Sequence, residues 1–109
     1  MDITPEEAIE VNKEFGGHLR SDSCIRFAAS HVTYTRSSYR KAAIWARAIA
    51  VDHPFSDANK RTAVYVFDAF IKIRDEEKIT KAIINIAKEN ITDINKLVEM
   101  LKNANRRQR

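Results

Sequence analysis

One stretch constrains this chain more than any other: His53-Pro54-Phe55-Ser56-Asp57-Ala58-Asn59-Lys60-Arg61-Thr62-Ala63. Pro54 disfavours the α region at His53, so a helix arriving from upstream stops there. Ser56 or Asp57 is then placed to cap a new helix. The head of a helix carries partial positive charge, which favours acids in its first turn and disfavours bases. Lys60 and Arg61 nevertheless fall in that first turn. Such a violation is expected where function outweighs local stability, and a bound anion resolves it most simply. Backbone N–H groups, the helix dipole and two cationic side chains then converge on one phosphate.

Taken singly, these residues are ordinary. A lone histidine in a turn is usually a surface residue, Asp57 alone a cap, and Asn59, Lys60 and Arg61 a polar helix start. Together they place a base, an acid, an amide and two cations within nine positions. Transfer of a phosphate-containing group from a nucleotide needs this set. Polyphosphate needs neutralising by N–H groups, Lys and Arg. Mg2+ is held by one or two carboxylates plus phosphate oxygens, which suits Asp57. The attacking hydroxyl needs a base, and imidazole, which titrates near neutral pH, suits that role at His53. Phe55 is expected to anchor the turn by packing inward, and Thr62 and Ala63 to pack.

The rest of the chain predicts helices. At 109 residues it suits one domain, 1–109, with one core. Two glycines and two prolines leave little turn chemistry. Thr4-Pro5-Glu6-Glu7 reads as a capping box with Pro at the first helical position. It opens a helix to about Phe15 that buries Ala8, Val11 and Phe15, and Gly16-Gly17 ends it. His18-Leu19-Arg20 is a connector. Ser21 or Asp22 caps a second helix to about Ser30, burying Ile25, Ala28 and Ala29. Val32-Thr33-Tyr34-Thr35 is β-branched and aromatic, so an extended exposed loop or short hairpin is expected from His31 to Ser38. Ser37 or Ser38 caps a third helix to about Val51 with Ala42, Trp45, Ala48 and Ile49 inward. The helix after the signature buries Ala63, Val66, Phe67, Phe70 and Ile71 and reads as the central one. A fifth carries Ile79, Ile83, Ile86 and Ala87; a sixth, capped by Thr92, carries Ile94, Leu97, Val98 and Leu101. No two-residue periodicity long enough for a sheet is present. The prediction is an all-α bundle of about six helices.

No apolar run approaches the roughly 18 residues of a membrane span. The first residues show no basic-then-apolar leader, so the cytoplasm is the expected compartment. Cys24 is the sole cysteine, which excludes an internal disulfide. The net charge of +4 is matched by Lys102, Arg106, Arg107 and Arg109 after Glu99, so residues 102–109 read as a basic C-terminal tail. Such a tail is ordinarily solvated; an acidic partner or nucleic acid is the sharper reading. No recognition helix with a reading face supports nucleic-acid binding, which ranks last.

At HPFSDANKRTA the sequence resembles the Fic/Doc (Fido) family, whose signature is His-Pro-Phe-x-Asp/Glu-Gly-Asn-Gly/Lys-Arg. Ala42 to Ala50 resembles the family's preceding helix, and Gly16 to Arg20 its lead-in. The resemblance is clear from Ala42 to Phe70, extends back to Gly16, and is poor after Asp75. It implies a Fido-type bundle with the active site at the N-terminus of the central helix. It assigns target-hydroxyl activation to His53, Mg2+ to Asp57, and the nucleotide's phosphates to Ala58, Asn59, Lys60 and Arg61. It also implies a flap that aligns the target by strand addition, here Val32, Thr33, Tyr34 and Thr35.

Three departures point within the family. Ala58 replaces the usual Gly, Lys60 replaces the Gly of AMP-transferring members, and Val64 stands where those members often carry a second Arg. All three resemble the Doc branch, toxins that transfer the terminal phosphate of ATP. The implied function is phosphate transfer from ATP, with Mg2+, to a Ser/Thr hydroxyl of a target protein of the translation-factor class. AMP transfer and a non-catalytic nucleotide- or partner-binding module are the alternatives. No Ser/Thr-x-x-x-Glu-Gly/Asn inhibitory motif is present, so the expected inhibitor is a separate antitoxin protein.

Overall fold

A computed structural model describes residues 2–106, and among these it contains six α-helices: α1 (Pro5–Glu14), α2 (Ser23–Val32), α3 (Ser38–Ala50), α4 (Asn59–Phe70), α5 (Glu76–Lys88) and α6 (Ile94–Ala104). The expected all-α bundle is present. The local signals that start these helices are seen directly. The Thr4 hydroxyl accepts from the Glu7 N–H and the Glu7 carboxylate accepts from the Thr4 N–H, both at 3.1 Å, closing the capping box. Ser37 caps α3 by accepting from Arg40 N–H at 3.2 Å. Asp75 and Asp93 cap α5 and α6. The last cap therefore falls on Asp93 and not on Thr92: the Asp93 carboxylate accepts from the N–H groups of both Asn95 and Lys96.

α3 and α4 share the centre. α3 packs against α2, α4, α5 and α6, and α4 packs against α1, α3 and α5. Between Ala42 and Ala50 every residue of α3 except Arg47 is buried, including Trp45 and Ile49 at zero exposure. Its alanines bring neighbouring backbones close, so α3 is apolar around its circumference. α4 buries Thr62, Ala63, Val66 and Phe67 as expected, while Phe70 and Ile71 are only half-buried. Lys60, Arg61, Tyr65 and Asp68 remain exposed on its outer side. α4 is thus a two-faced helix: one side seats the core and the other faces solvent from the helix head downward.

Two expectations about the chain between α2 and α3 are corrected. α2 runs through Val32, which is buried, instead of ending near Ser30. Thr33 follows in the right-handed helical region and Tyr34 in a turn, so this segment is not extended. Burial of Val32 outweighs its weak helical propensity. The Thr33 and Thr35 hydroxyls each donate to the carbonyl four residues back, Ala29 and His31, at 3.1 Å, keeping the chain coiled. What remains is a short exposed loop, with Tyr34 89% exposed. Lys102 lies within α6, and Arg106 follows it exposed; Arg107 and Arg109 of the expected basic tail lie outside the described residues. No helix among the described residues is long and apolar enough to cross a membrane.

Candidate active site

The turn between α3 and α4 is held from three directions. Phe55 is 1% exposed and anchors it in the core, as its sequence context predicts. Asn59, the first residue of α4, is also buried. Its Nδ2 donates to the Phe55 carbonyl at 3.0 Å while its Oδ1 accepts from the Phe55 N–H at 3.1 Å. Both ends of the Asn59 amide are therefore committed to the turn, and what this residue can offer an incoming anion is its backbone N–H.

The connector before α2 forms the second support. Leu19 and Phe55 make an isolated antiparallel bridge. Pro54 C=O accepts from the N–H groups of Arg20 (2.8 Å) and Ser21 (3.2 Å), and Ser56 N–H donates to the His18 carbonyl at 2.9 Å. The Ser56 hydroxyl lies 3.1 Å from His18 N and 3.0 Å from His18 Nδ1. His18 to Arg20 reads as a connector in sequence, yet it is zipped to the signature along its length.

The third support is Asn12 on α1, which sequence reading leaves unremarked. It is fully buried, and its Nδ2 donates to the Asp57 carbonyl at 2.9 Å and to the Thr62 hydroxyl at 3.1 Å. Its Oδ1 is buried without a hydrogen-bond partner. Gly17 explains the close fit. A Cβ there would meet Asn12 Oδ1 and would lie 2.6 Å from the Asp57 carbonyl oxygen. Gly16 takes φ +92°, the left-handed conformation that lets the chain reverse after α1.

With the turn so held, α4 begins unconventionally. Its N-cap is Ala58, not Ser56 or Asp57, with φ 59° and ψ 27°, and no side chain caps the helix. The Asp57 Oδ1 instead accepts from the Ala58 N–H at 2.7 Å. The first turn thus keeps N–H groups that have no intrahelical partner. It contains no acid, while Lys60 and Arg61 are both exposed there. Neither forms an ion pair among the described residues. The Arg61 guanidinium rests over the Phe15 ring, 4.2 Å from its centroid, which holds the cation at the helix head and leaves its charge unneutralised.

His53 and Asp57 are both exposed at opposite ends of the turn. His53 has φ 52°, an uncommon left-handed conformation for a non-glycine residue. Two such residues, His53 and Ala58, therefore lie within six positions; strain of this kind concentrates at functional sites. Asp57 is the one carboxylate of the signature, and only its Oδ1 is engaged within the chain among the described residues. That donor set fits Mg2+, which takes few protein carboxylates and fills its shell with phosphate oxygens and water. Val32 of the expected target-binding flap is buried in α2, which leaves Thr33, Tyr34 and Thr35 to form any contact surface.

A helix head with no side-chain cap and two cations that form no ion pair among the described residues, beside a turn carrying imidazole and carboxylate, is a candidate anion-binding site on an all-α bundle. A model described as the Fic/DOC family matches residues 4–71, from the capping box of α1 to the end of α4, and the chain belongs to that family. The bundle is accordingly of the Fido type. Family members generally transfer nucleotide-derived groups onto proteins, typically with ATP and Mg2+. No curated protein matches the chain at a significant level.

Proposed function

We propose that this protein is a Doc-like toxin that transfers the terminal phosphate of ATP to a Ser or Thr hydroxyl of a target protein, of the translation-factor class. The observation that carries the reading is the head of α4: unpartnered N–H groups, Lys60 and Arg61 in no ion pair among the described residues, and no acid in the first turn. His53 takes the proton of the target hydroxyl, whose oxygen forms a bond to the γ-phosphorus as the bond from phosphorus to ADP breaks. The N–H groups of Asn59, Lys60 and Arg61, with the two cationic side chains, balance the phosphate charge, while the Ala58 N–H is taken by Asp57 Oδ1. Asp57 is the residue to hold Mg2+, which supplies further charge neutralisation when bound. Thr33, Tyr34 and Thr35 offer the target its docking edge, and Val32 supports them from the core. A separate antitoxin protein silences the activity, and the protein works in the cytoplasm.

The choice of phosphate over AMP rests on Lys60 and Val64. A lysine side chain at position 60 crowds the anion site and adds charge there, and valine at position 64 gives no cation to a distal phosphate. The test is incubation of antitoxin-free protein with cell extract and ATP labelled at either the γ or the α position. Label reaching protein from the γ position alone is expected. Label from the α position would instead establish AMP transfer, and ATP binding by calorimetry without any turnover would establish a non-catalytic module.

A further inference from the structure

α4 ends at Phe70, on the order of 16 Å from the head of the helix. Beside that end lies a cleft of about 790 Å3. Phe70 and Ile71, both half-buried, give it an apolar lining. Four exposed cations surround them: Lys72 and Arg74 from the α4–α5 connection, Lys102 from α6, and Arg106 just after it. No residue of the turn that bears His53 and Asp57 lines this cleft.

No acid lines the cleft, and none of the four cations forms an ion pair among the described residues. The acids nearby are engaged elsewhere. Asp68 accepts from the Ile73 N–H and Asp75 from the Lys78 N–H. Asp68 and Glu76 line a separate cleft along α4, on whose wall Arg74 also stands. Glu99, on α6 before Lys102, makes no ion pair with it. α4 and α6 both end at the cleft, and each C-terminus brings about half a negative charge. That offsets roughly one cation and leaves an excess of about three. With Arg74 turned toward Asp68 and Glu76, an excess of about two still remains.

The frame that holds these charges is fixed. Asn105, the C-cap of α6, is 4% exposed. Its Nδ2 donates to the Tyr39 hydroxyl at 3.2 Å and to the Lys72 carbonyl at 3.1 Å, and its Oδ1 accepts from the Arg74 N–H at 2.8 Å. One buried amide thus ties the end of α6 to the head of α3 and to the backbone of Lys72 and Arg74. Lys102 Nζ lies over the Tyr39 ring, 5.5 Å from its centroid. A surface ordered before contact loses less entropy when it is covered.

We propose that this cleft docks an acidic segment of a partner protein, one with several carboxylates around a single aromatic or aliphatic side chain. The carboxylates meet the cations, and the apolar side chain covers Phe70 and Ile71. Charge complementarity selects this occupant. The chain's own last residues, Arg107, Gln108 and Arg109, bring cations and no acid, so they do not supply it. A second copy fits poorly, because the acids along its α1 side are already paired: Asp2 with Lys41, Glu6 with Arg26 and Glu10 with Lys13. Nucleic acid is disfavoured because the cations ring one cleft and do not form the stripe that tracks a phosphate backbone. An occupant here lies a helix length from the α4 head and leaves the turn bearing His53 open.

The experiment is fluorescence anisotropy on the full chain with a labelled peptide of glutamates around one central tryptophan. The probe is expected to bind, with affinity that falls as salt rises. Glycine in place of its tryptophan should weaken binding about tenfold, the range of one buried aromatic side chain. Lys72→Glu combined with Lys102→Glu should weaken it about tenfold or more, since like charges then face the probe. Both positions are exposed, and an unchanged thermal midpoint checks that the fold is kept. Saturating Mg2+-ATP should leave the probe bound. Displacement by ATP would place the probe at the α4 head and overturn the inference. So would absence of binding, equal affinity for the glycine probe, or tighter binding of a single-stranded oligonucleotide of equal charge. Self-association of the native chain that the double substitution abolishes would assign the cleft to a second copy and overturn it as well. The docking needs no nucleotide, so its failure leaves the reading of the α4 head as it stands.

Discussion

The amide nitrogen of Asn12 donates to the carbonyl of Asp57 across 45 residues of sequence, at 2.9 Å. The same nitrogen donates at 3.1 Å to Thr62 on the first turns of α4. One side chain on α1 thereby sets the position of the turn relative to the helix head. Asn12→Ala leaves two acceptors behind, of which the Thr62 hydroxyl is buried. Each such loss costs roughly 1–3 kcal/mol. Chemical denaturation should show a stability loss of about 2–4 kcal/mol, and transfer activity of the remaining folded protein should fall. Unchanged stability would show that Asn12 merely occupies space.

Gly17 is the counterpart of that contact. An added methyl would meet Asn12 Oδ1 and the Asp57 carbonyl oxygen, and the latter is backbone that cannot rotate away. Overpacking of this kind costs typically 1–3 kcal/mol. Gly17→Ala should fall in that range by denaturant midpoint. Gly16→Ala meets no neighbour but forces alanine to φ +92°, so its cost is conformational and should not be relieved by trimming Asn12. The double variant Gly17→Ala with Asn12→Ala should be less destabilised than the sum of the singles; strict additivity would contradict a direct clash.

These two positions mark where the sequence stops being readable. Caps and apolar spacing are local signals, and they locate the six helices, the Thr4 capping box, the Ser37 cap and the buried Phe55. The position of the candidate site is also legible, because Lys60 and Arg61 contradict the helix dipole within a few residues. Asn12 looks like one more polar residue of an amphipathic helix, since its partners lie 45 and 50 residues away. Asn59 is assigned to the phosphates by the family resemblance; only the fold shows both ends of its amide closed on Phe55. The Val32 to Thr35 segment misleads because propensity favours extension, whereas burial of Val32 and i−4 bonds from both threonines keep the chain coiled.

Ala58 takes φ 59° at the N-cap of α4, a conformation costing an L-residue roughly 1–2 kcal/mol. Glycine adopts it freely but loses more entropy on folding, which returns about 0.4–1 kcal/mol. Ala58→Gly should therefore stabilise the protein by up to about 1 kcal/mol, measured as a rise in thermal midpoint. A loss of stability would mean that the alanine methyl makes contacts that outweigh its strain.

Cys24 supplies a pH-dependent check on the α2–α3 packing. Burial against α3, then the nearby charge of Asp52, pushes its thiol above the ordinary range, and its Sγ lies 3.4 Å from the Ala48 carbonyl as a donor. The folded state therefore holds the proton more tightly than the unfolded one. Its contribution to stability is present below the unfolded thiol range and is lost as pH rises toward the folded value. Alkylation by iodoacetamide should be slow in the folded protein at neutral pH and should accelerate at higher pH than in urea. Identical rate profiles in the two states would place Cys24 outside the packed interface.

His53 allows chemistry and folding to be separated, because its left-handed backbone restricts which substitutions are informative. Alanine at φ 52° retains the strain, whereas asparagine tolerates that region and carries no base. The side chain is exposed, and surface changes of this kind usually stay within about 0.5 kcal/mol. His53→Asn should keep the native thermal midpoint to within a few degrees and retain ATP binding, because the phosphates are held by α4 and not by the imidazole. Transfer to the target should fall by at least about a hundredfold, the lower end of what a general base contributes. Residual transfer near the native rate, with folding intact, would remove His53 from the proton-transfer step and leave the helix head as a binding site only.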